Sequence, residues 1–283
     1  MHNREDAISP DDFSRLRRLI HEQTGITLGE GKQTMLEGRI RRRLKALAIA
    51  SYREYCEFLF SKRGLQDEMI HLIDVVTTNK TDFFREPRHF EFLTATALPA
   101  FLRGHESRRP FLVWSAGCSS GEEPYTLAMV LSEYAQAHPG FTFNIFATDI
   151  STTVLSKAAL GIYPDEVTRP VPHGLKVKYL MRGRERGSGR VRVAPELRRL
   201  VEFRRLNFMD SDFGIQQKFD AVFCRNVIIY FDRPTQQSIL DKLVRCLLLG
   251  GHLFMGHAET LHELTLPVAQ VAPALYRRIN GRR

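Results

Sequence analysis

The decapeptide Ser115-Ala116-Gly117-Cys118-Ser119-Ser120-Gly121-Glu122-Glu123-Pro124 combines residue types and spacing that can do chemistry. It follows a short apolar run and leads into a helical pattern. Two glycines in a strand-to-helix turn allow a ligand to approach the backbone closely. In dinucleotide enzymes such a turn delivers a pyrophosphate to the helix N-terminus. Here Glu122 and Glu123 stand at that helix start, where they would repel an anion. Neither G-x-G-x-x-G nor G-x-x-x-x-G-K-[ST] occurs. A phosphate-free ligand carrying positive charge fits better. S-adenosylmethionine, with an α-ammonium, a sulfonium and an adenosine, has that character. Asp149 ends the next apolar run, where an acidic side chain takes ribose hydroxyls in nucleoside-binding α/β folds. The simpler alternative is an ordinary turn whose carboxylates favour the helix start; Asp149 weighs against it.

Strands and helices in alternation must hold these residues. Leu112–Gly117, Phe143–Asp149, Phe219–Cys224 and Gly250–Gly256 read as strands, with helices expected from near Glu122, over Thr152–Leu160 and over Pro234–Leu248. That order implies βαβ units and a mainly parallel sheet. Before it, residues 11–76 read as helices. Phe13, Leu16, Leu19 and Ile20 repeat at helical spacing after Ser9-Pro10. Further helices are expected over Gln33–Leu47, Tyr52–Phe60 and Gln66–Val75. Between Tyr163 and Phe203 the alternation fails, and an inserted loop, helix and small hairpin are expected around Gly183–Gly189 and Arg190–Val193.

The chain has 283 residues with 43% hydrophobic and 26% charged, which excludes disorder as the main state. No apolar run approaches the ~20 residues that span a bilayer, and the N-terminus lacks an apolar signal region. Cys56, Cys118, Cys224 and Cys246 are scattered and form no C-x-x-C pair, so a cytosolic protein with reduced thiols and no metal is expected. His252, His257 and His262 lack partners in a metal-binding pattern. Net charge is +9. The segment Arg169–Arg205, with twelve basic and three acidic residues, carries that whole excess, and Arg39, Arg41, Arg42, Arg43 and Lys45 form a second cluster. Such patches attract acidic partners or are merely solvated faces.

Five blocks, in order, resemble the chemotaxis-receptor glutamate methyltransferases, the CheR family. They are Thr77–Glu86, Trp114–Tyr125, Phe146–Ile150, Phe219–Asp232 and Gly256–Thr260. The resemblance implies an α/β fold: a Rossmann-like S-adenosylmethionine-dependent methyltransferase domain with an N-terminal helical domain and an inserted small antiparallel β-subdomain. The expected divisions are a receptor-docking helical domain over 1–76, a linker over 77–90 that contributes to the cofactor site, and a methyltransferase domain over 91–283. The β-subdomain would occupy 164–203. The implied activity is methyl transfer to glutamate γ-carboxylates of methyl-accepting chemotaxis receptors, with S-adenosylhomocysteine as product. Carried over block by block, the cofactor residues are Asn79, Thr81, Arg85, Gly117, Glu123, Asp149, Asn207, Phe208, Arg225 and Asn226. Arg39, Arg42, Arg43 and Lys45 would dock the acidic receptor, and in some members the β-subdomain holds a receptor C-terminal tail.

A glutamate carboxylate is already ionised at neutral pH, with a pKa of about 4.3, so the reaction needs no general base and no nucleophilic thiol. Arg85 and Tyr230 are expected beside the transferred methyl group as the catalytic pair, one guiding the carboxylate and the other offering a hydroxyl. Two readings compete. A nucleic-acid methyltransferase is suggested by the charge, but [DN]-P-P-[FYW] is absent after Cys224, where Arg225-Asn226-Val227-Ile228 follows. A non-catalytic cofactor-binding or tethering module is opposed by the presence of both Arg85 and Tyr230. A cytoplasmic monomer is the default expectation, with no nucleic-acid partner and no membrane insertion.

Overall fold

The computed structural model describes residues 7–104, 109–183 and 189–281. The first helix, α1 (Pro10–Thr24), is started by Ser9, whose hydroxyl accepts the Asp12 N–H, and ends at Gly25 with φ +74. It buries Phe13, Leu16 and Ile20 against Leu36, Ile40 and Leu44 of α2 (Gln33–Leu47) and against α3 (Tyr52–Leu59). The helix expected over Gln66–Val75 is instead two, α4 (Lys62–Asp67) and α5 (Met69–Val76). At their junction Glu68, 1% exposed, turns its carboxylate inward. It accepts a two-pronged bond from Arg43 at 2.7 and 2.8 Å and the Tyr55 hydroxyl at 3.1 Å.

After α6 (Arg88–Phe92) and α7 (Leu98–Gly104) the chain alternates as expected. Strand β1 (Phe111–Ala116), helix α8 (Glu122–Ala137), strand β2 (Phe143–Asp149) and helix α9 (Thr152–Leu160) come first. The insertion holds β3 (Ile162–Pro164), α10 (His173–Tyr179), β4 (Leu180–Arg182), β5 (Arg190–Val193) and α11 (Pro195–Arg198). Then follow β6 (Val201–Arg205), β7 (Phe219–Cys224), α12 (Arg233–Cys246), β8 (Leu247–Met255), β9 (Val268–Ala272) and β10 (Leu275–Arg278).

Seven strands form the main sheet in the order β6-β2-β1-β7-β8-β10-β9. The first five run parallel, and β10 is antiparallel to both neighbours. Chain order reverses between β1 and β7, which opens a crevice beyond their C-terminal ends. Covered on both faces, β7 is buried at every residue and reads as an apolar run interrupted only by Asp220, which pairs with Arg109. Trp114 fills the core with its indole N–H bonded to Thr148 Oγ1 at 2.9 Å. The small hairpin is in fact a three-stranded sheet, β3-β5-β4, and residues 184–188 of its expected glycine-rich tip lie outside the described residues. β6, read as the end of the insertion, belongs to the main sheet. Among the described residues no helix is long and apolar enough to cross a membrane.

Candidate active site

The crevice at the strand reversal is a cleft of about 890 Å³, counting its open mouth. Asn79, Thr81, Arg85, Gly117, Glu123, Asp149, Asn207, Phe208, Arg225, Asn226 and Tyr230 all line it. The helical layer lines it too, through Thr24 and Ile26.

The glycine turn is built for close approach. Gly117 sits at φ +83, and a Cβ there would lie 2.6 Å from Val227 Cγ2. Ser119 also has positive φ. Its N–H donates to Asp149 Oδ2 at 2.9 Å and its hydroxyl to Asn79 O at 2.8 Å. Asp149 accepts Ser151 N–H through Oδ1. Burial raises its pKa, and these backbone donors oppose the rise.

The floor is an ion pair. Glu123 accepts Ser115 Oγ–H and Arg225 Nε–H, each at 2.6 Å. Arg225 Nη1 donates to Arg85 O at 2.6 Å, lies 3.4 Å from Glu86 Oε2 and 3.3 Å from His89 Nδ1, and the guanidinium covers the Phe90 and Phe223 rings. Above it the backbone of Phe84 and Glu86 is left-handed, at φ 53° and 55°. That conformation costs roughly 1–2 kcal/mol per residue. It is held by Phe84 N–H on Thr126 Oγ1 and by His257 N–H on Glu86 Oε1. Strain of this kind, pinned on both sides, presents Arg85 to the cleft. Among the described residues the Arg85 guanidinium makes one long bond, 3.3 Å to Lys80 O. Opposite, Asn226 at φ 58° has a buried Oδ1 without a hydrogen-bond partner among the described residues.

Some of the expected site residues are also engaged within the chain. Asn207 lines the cleft, and its Nδ2 donates to Gln23 O at 2.7 Å while its Oδ1 accepts Met209 N–H. Arg39 and Arg43, expected to dock a substrate, are engaged inside the chain, Arg43 on Glu68 and Arg39 on residues 76–78. Arg42 and Lys45 are exposed. Cys118 and Cys224 are at most 1% exposed, and burial raises both thiols well above their ordinary pKa, so neither supplies a thiolate.

Sequence reasoning missed Glu259. Its carboxylate accepts the N–H groups of Asn226, Val227, Ile228 and Gly256 at 2.6 to 2.8 Å and so shapes the loop after β7. It lay within a recognised block, but no local pattern reveals its partners. Glu86, His89 and His257 also bring three possible metal-ligand atoms within 4.8 Å. The Arg225 cation already faces two of those groups, which disfavours a second cation there.

Burial, and next the Arg225 charge, lowers His89 to a pKa of about 4, against the pull of Glu86. Burial lowers His252 to a similar value. Each unfolded imidazole takes up its proton near pH 6.5, before the folded one does. Stability should therefore be complete above pH 6.5 and decline as pH falls toward 4. Thermal unfolding against pH tests this: His89→Asn should flatten the decline, and an unaltered slope would assign it elsewhere.

A mostly parallel sheet with a carboxylate-lined cleft at its switch point is an architecture of nucleoside-binding enzymes, and comparison identifies the class as an S-adenosylmethionine-dependent methyltransferase. Residues 79–274 match the family model described as CheR methyltransferase, SAM binding domain, and residues 11–77 match CheR methyltransferase, all-alpha domain. The chain belongs to the CheR methyltransferase family. It is 39% identical to a chemotaxis protein methyltransferase of Borreliella burgdorferi over 96% of this chain and 95% of that one. It is 40% identical to that of Escherichia coli K12 over 91% and 87% respectively. The cleft fits the donor: an orphaned acceptor on Asn226 and the Glu123 and Asp149 carboxylates suit a ligand with an ammonium and ribose hydroxyls.

Proposed function

We propose that this enzyme methylates glutamate side chains on the cytoplasmic region of chemotaxis receptors, forming glutamyl methyl esters for sensory adaptation. The names of its relatives support the pathway. The observation that carries the chemistry is the pairing of Arg85 and Tyr230 on one cleft with their polar groups left to a ligand. Among the described residues the Tyr230 hydroxyl makes no hydrogen bond, and Arg85 makes the single long one. When bound, S-adenosylmethionine supplies an electrophilic methyl group on its sulfonium.

Arg85 steers an acceptor carboxylate into line and Tyr230 steadies one of its oxygens. A tight clamp would quench the nucleophile, so Arg85 is held loosely. The left-handed turn keeps its backbone fixed while the guanidinium keeps a single long hydrogen bond among the described residues. Glu123 and Asp149 hold the donor end, and Arg225 keeps Glu123 oriented. The reacting carboxylate needs no base. Exposed Arg42 and Lys45 meet the acidic receptor helix, and the outer strands β3 and β4 of the small sheet can add a receptor tail as a further strand. The enzyme works as a cytoplasmic monomer.

Steady-state kinetics on a receptor fragment tests the catalytic pair. Arg85→Ala should lower kcat about 100-fold and Tyr230→Phe about tenfold, as expected for lost positioning. S-adenosylhomocysteine affinity should survive Tyr230→Phe. Unchanged turnover in both variants would end this assignment.

A further inference from the structure

Arg39 stands in the basic run of α2, yet it is half-buried and faces inward. Its Nη1 donates to the carbonyls of Val76 and Thr77, the latter at 3.1 Å, and its Nη2 to Thr78 Oγ1 at 2.8 Å. Val76 closes α5, so one bond caps a helix C-terminus whose carbonyls lack intrahelical partners. The other two fall on the connector that leaves the helical layer. Thr77, Thr78, Asn79, Lys80 and Thr81 of that connector line the cleft.

The connector has other anchors at both ends. Thr77 N–H donates to Ile73 O and its hydroxyl to Asp74 O, and Arg85 donates to Lys80 O. Asn79 Nδ2 bonds back to Thr77 Oγ1 at 3.1 Å, and Asn79 O accepts the Ser119 hydroxyl of the glycine turn. Among the described residues none but Arg39 reaches the Thr78 side chain. The connector is thus strung between Arg39 on one side and the glycine turn on the other. A planar, five-donor group suits this task, because it reaches two carbonyls and a hydroxyl at once without competing for a proton.

We infer that Arg39 is a positioning residue for the methyl donor: it sets the register of residues 76–78 so that Asn79 and Thr81 meet the donor, rather than serving as a docking cation. The inference rests on use of S-adenosylmethionine and is independent of which protein is methylated.

Calorimetry with S-adenosylhomocysteine on the full chain tests it without any methyl acceptor. Arg39→Gln should weaken binding about tenfold, the scale of losing charge-assisted hydrogen bonds, at unchanged stoichiometry. Arg39→Lys should recover part of the loss, since an ammonium reaches the carbonyls but cannot span to Thr78. Thr78→Val should fall between wild type and Arg39→Gln. Arg63→Gln, the same charge change at an exposed site on α4, should bind as wild type. A merely structural role would lower Tm in Arg39→Gln while leaving the dissociation constant at wild type, and that result overturns the inference. So does an equal loss in Arg63→Gln, which would point to bulk charge. If Arg39→Gln does not fold, wild-type binding by Thr78→Val overturns it.

Discussion

Arg225→Leu is expected to destabilise the protein by about 3–5 kcal/mol, the usual result of removing one partner from a buried ion pair. For a chain of this length Tm should fall by roughly 10 °C, and binding of S-adenosylhomocysteine should be lost. The side chain is buried and serves several masters at once. It neutralises Glu123, faces Glu86, caps the carbonyl of Arg85 and covers two phenylalanine rings. Without it, Glu123 and Glu86 lose the cation they share, and the turn presenting Arg85 loses its support. Arg225→Lys keeps the charge but has no planar fork to divide among these partners, so it should recover only part of the loss. Glu123→Gln combined with Arg225→Leu should cost less than the two single changes summed, because the orphaned charge is gone. Calorimetric unfolding of all four proteins checks this. Strict additivity would mean that the pair is not coupled.

Glu259→Ala is the second large effect. Four backbone N–H groups converge on one carboxylate that is 5% exposed. Burial raises its pKa and the four donors oppose that rise. Each donor left bare costs about 1–3 kcal/mol, and relaxation of the loop recovers some of this, so a net loss of about 3–5 kcal/mol is expected. The Asn226–Ile228 segment should lose its left-handed start and misplace Asn226 and Tyr230 together. Glu259→Gln is no rescue, since its amide N–H group would oppose donors. Thermal unfolding and donor binding should therefore fail together in both variants. A Glu259→Ala protein of normal Tm and normal affinity would show that the loop holds itself.

Much of this was legible in the sequence because it is local. Buried parallel strands read as apolar runs, and the turn between β1 and α8 announces itself by Gly117, Gly121 and the two glutamates that follow. Asp149 ends its strand as read. The rest depends on residues far apart. Val201–Arg205 carries three charged residues in a five-residue strand, so its apolar signal is weak. β9 is only partly buried and gives no clear alternation. Nothing near Arg43 signals that Glu68, 25 residues on, is brought beside it. Likewise nothing near Gln23 or Ile26 predicts that they meet Asn207 and Phe231 over the cleft. Asp74, which fastens α5 to Thr152 and Thr153 at the start of α9, escaped for the same reason.

The identity of the atom that receives the methyl group decides the function. The direct measurement is transfer of tritiated methyl from S-adenosylmethionine to a purified receptor cytoplasmic fragment, followed by mild base. The expected result is label in the receptor that base releases as methanol and that vanishes when the acceptor glutamates are replaced by alanine. Base-stable label, or label entering nucleic acid and not the receptor, would contradict it.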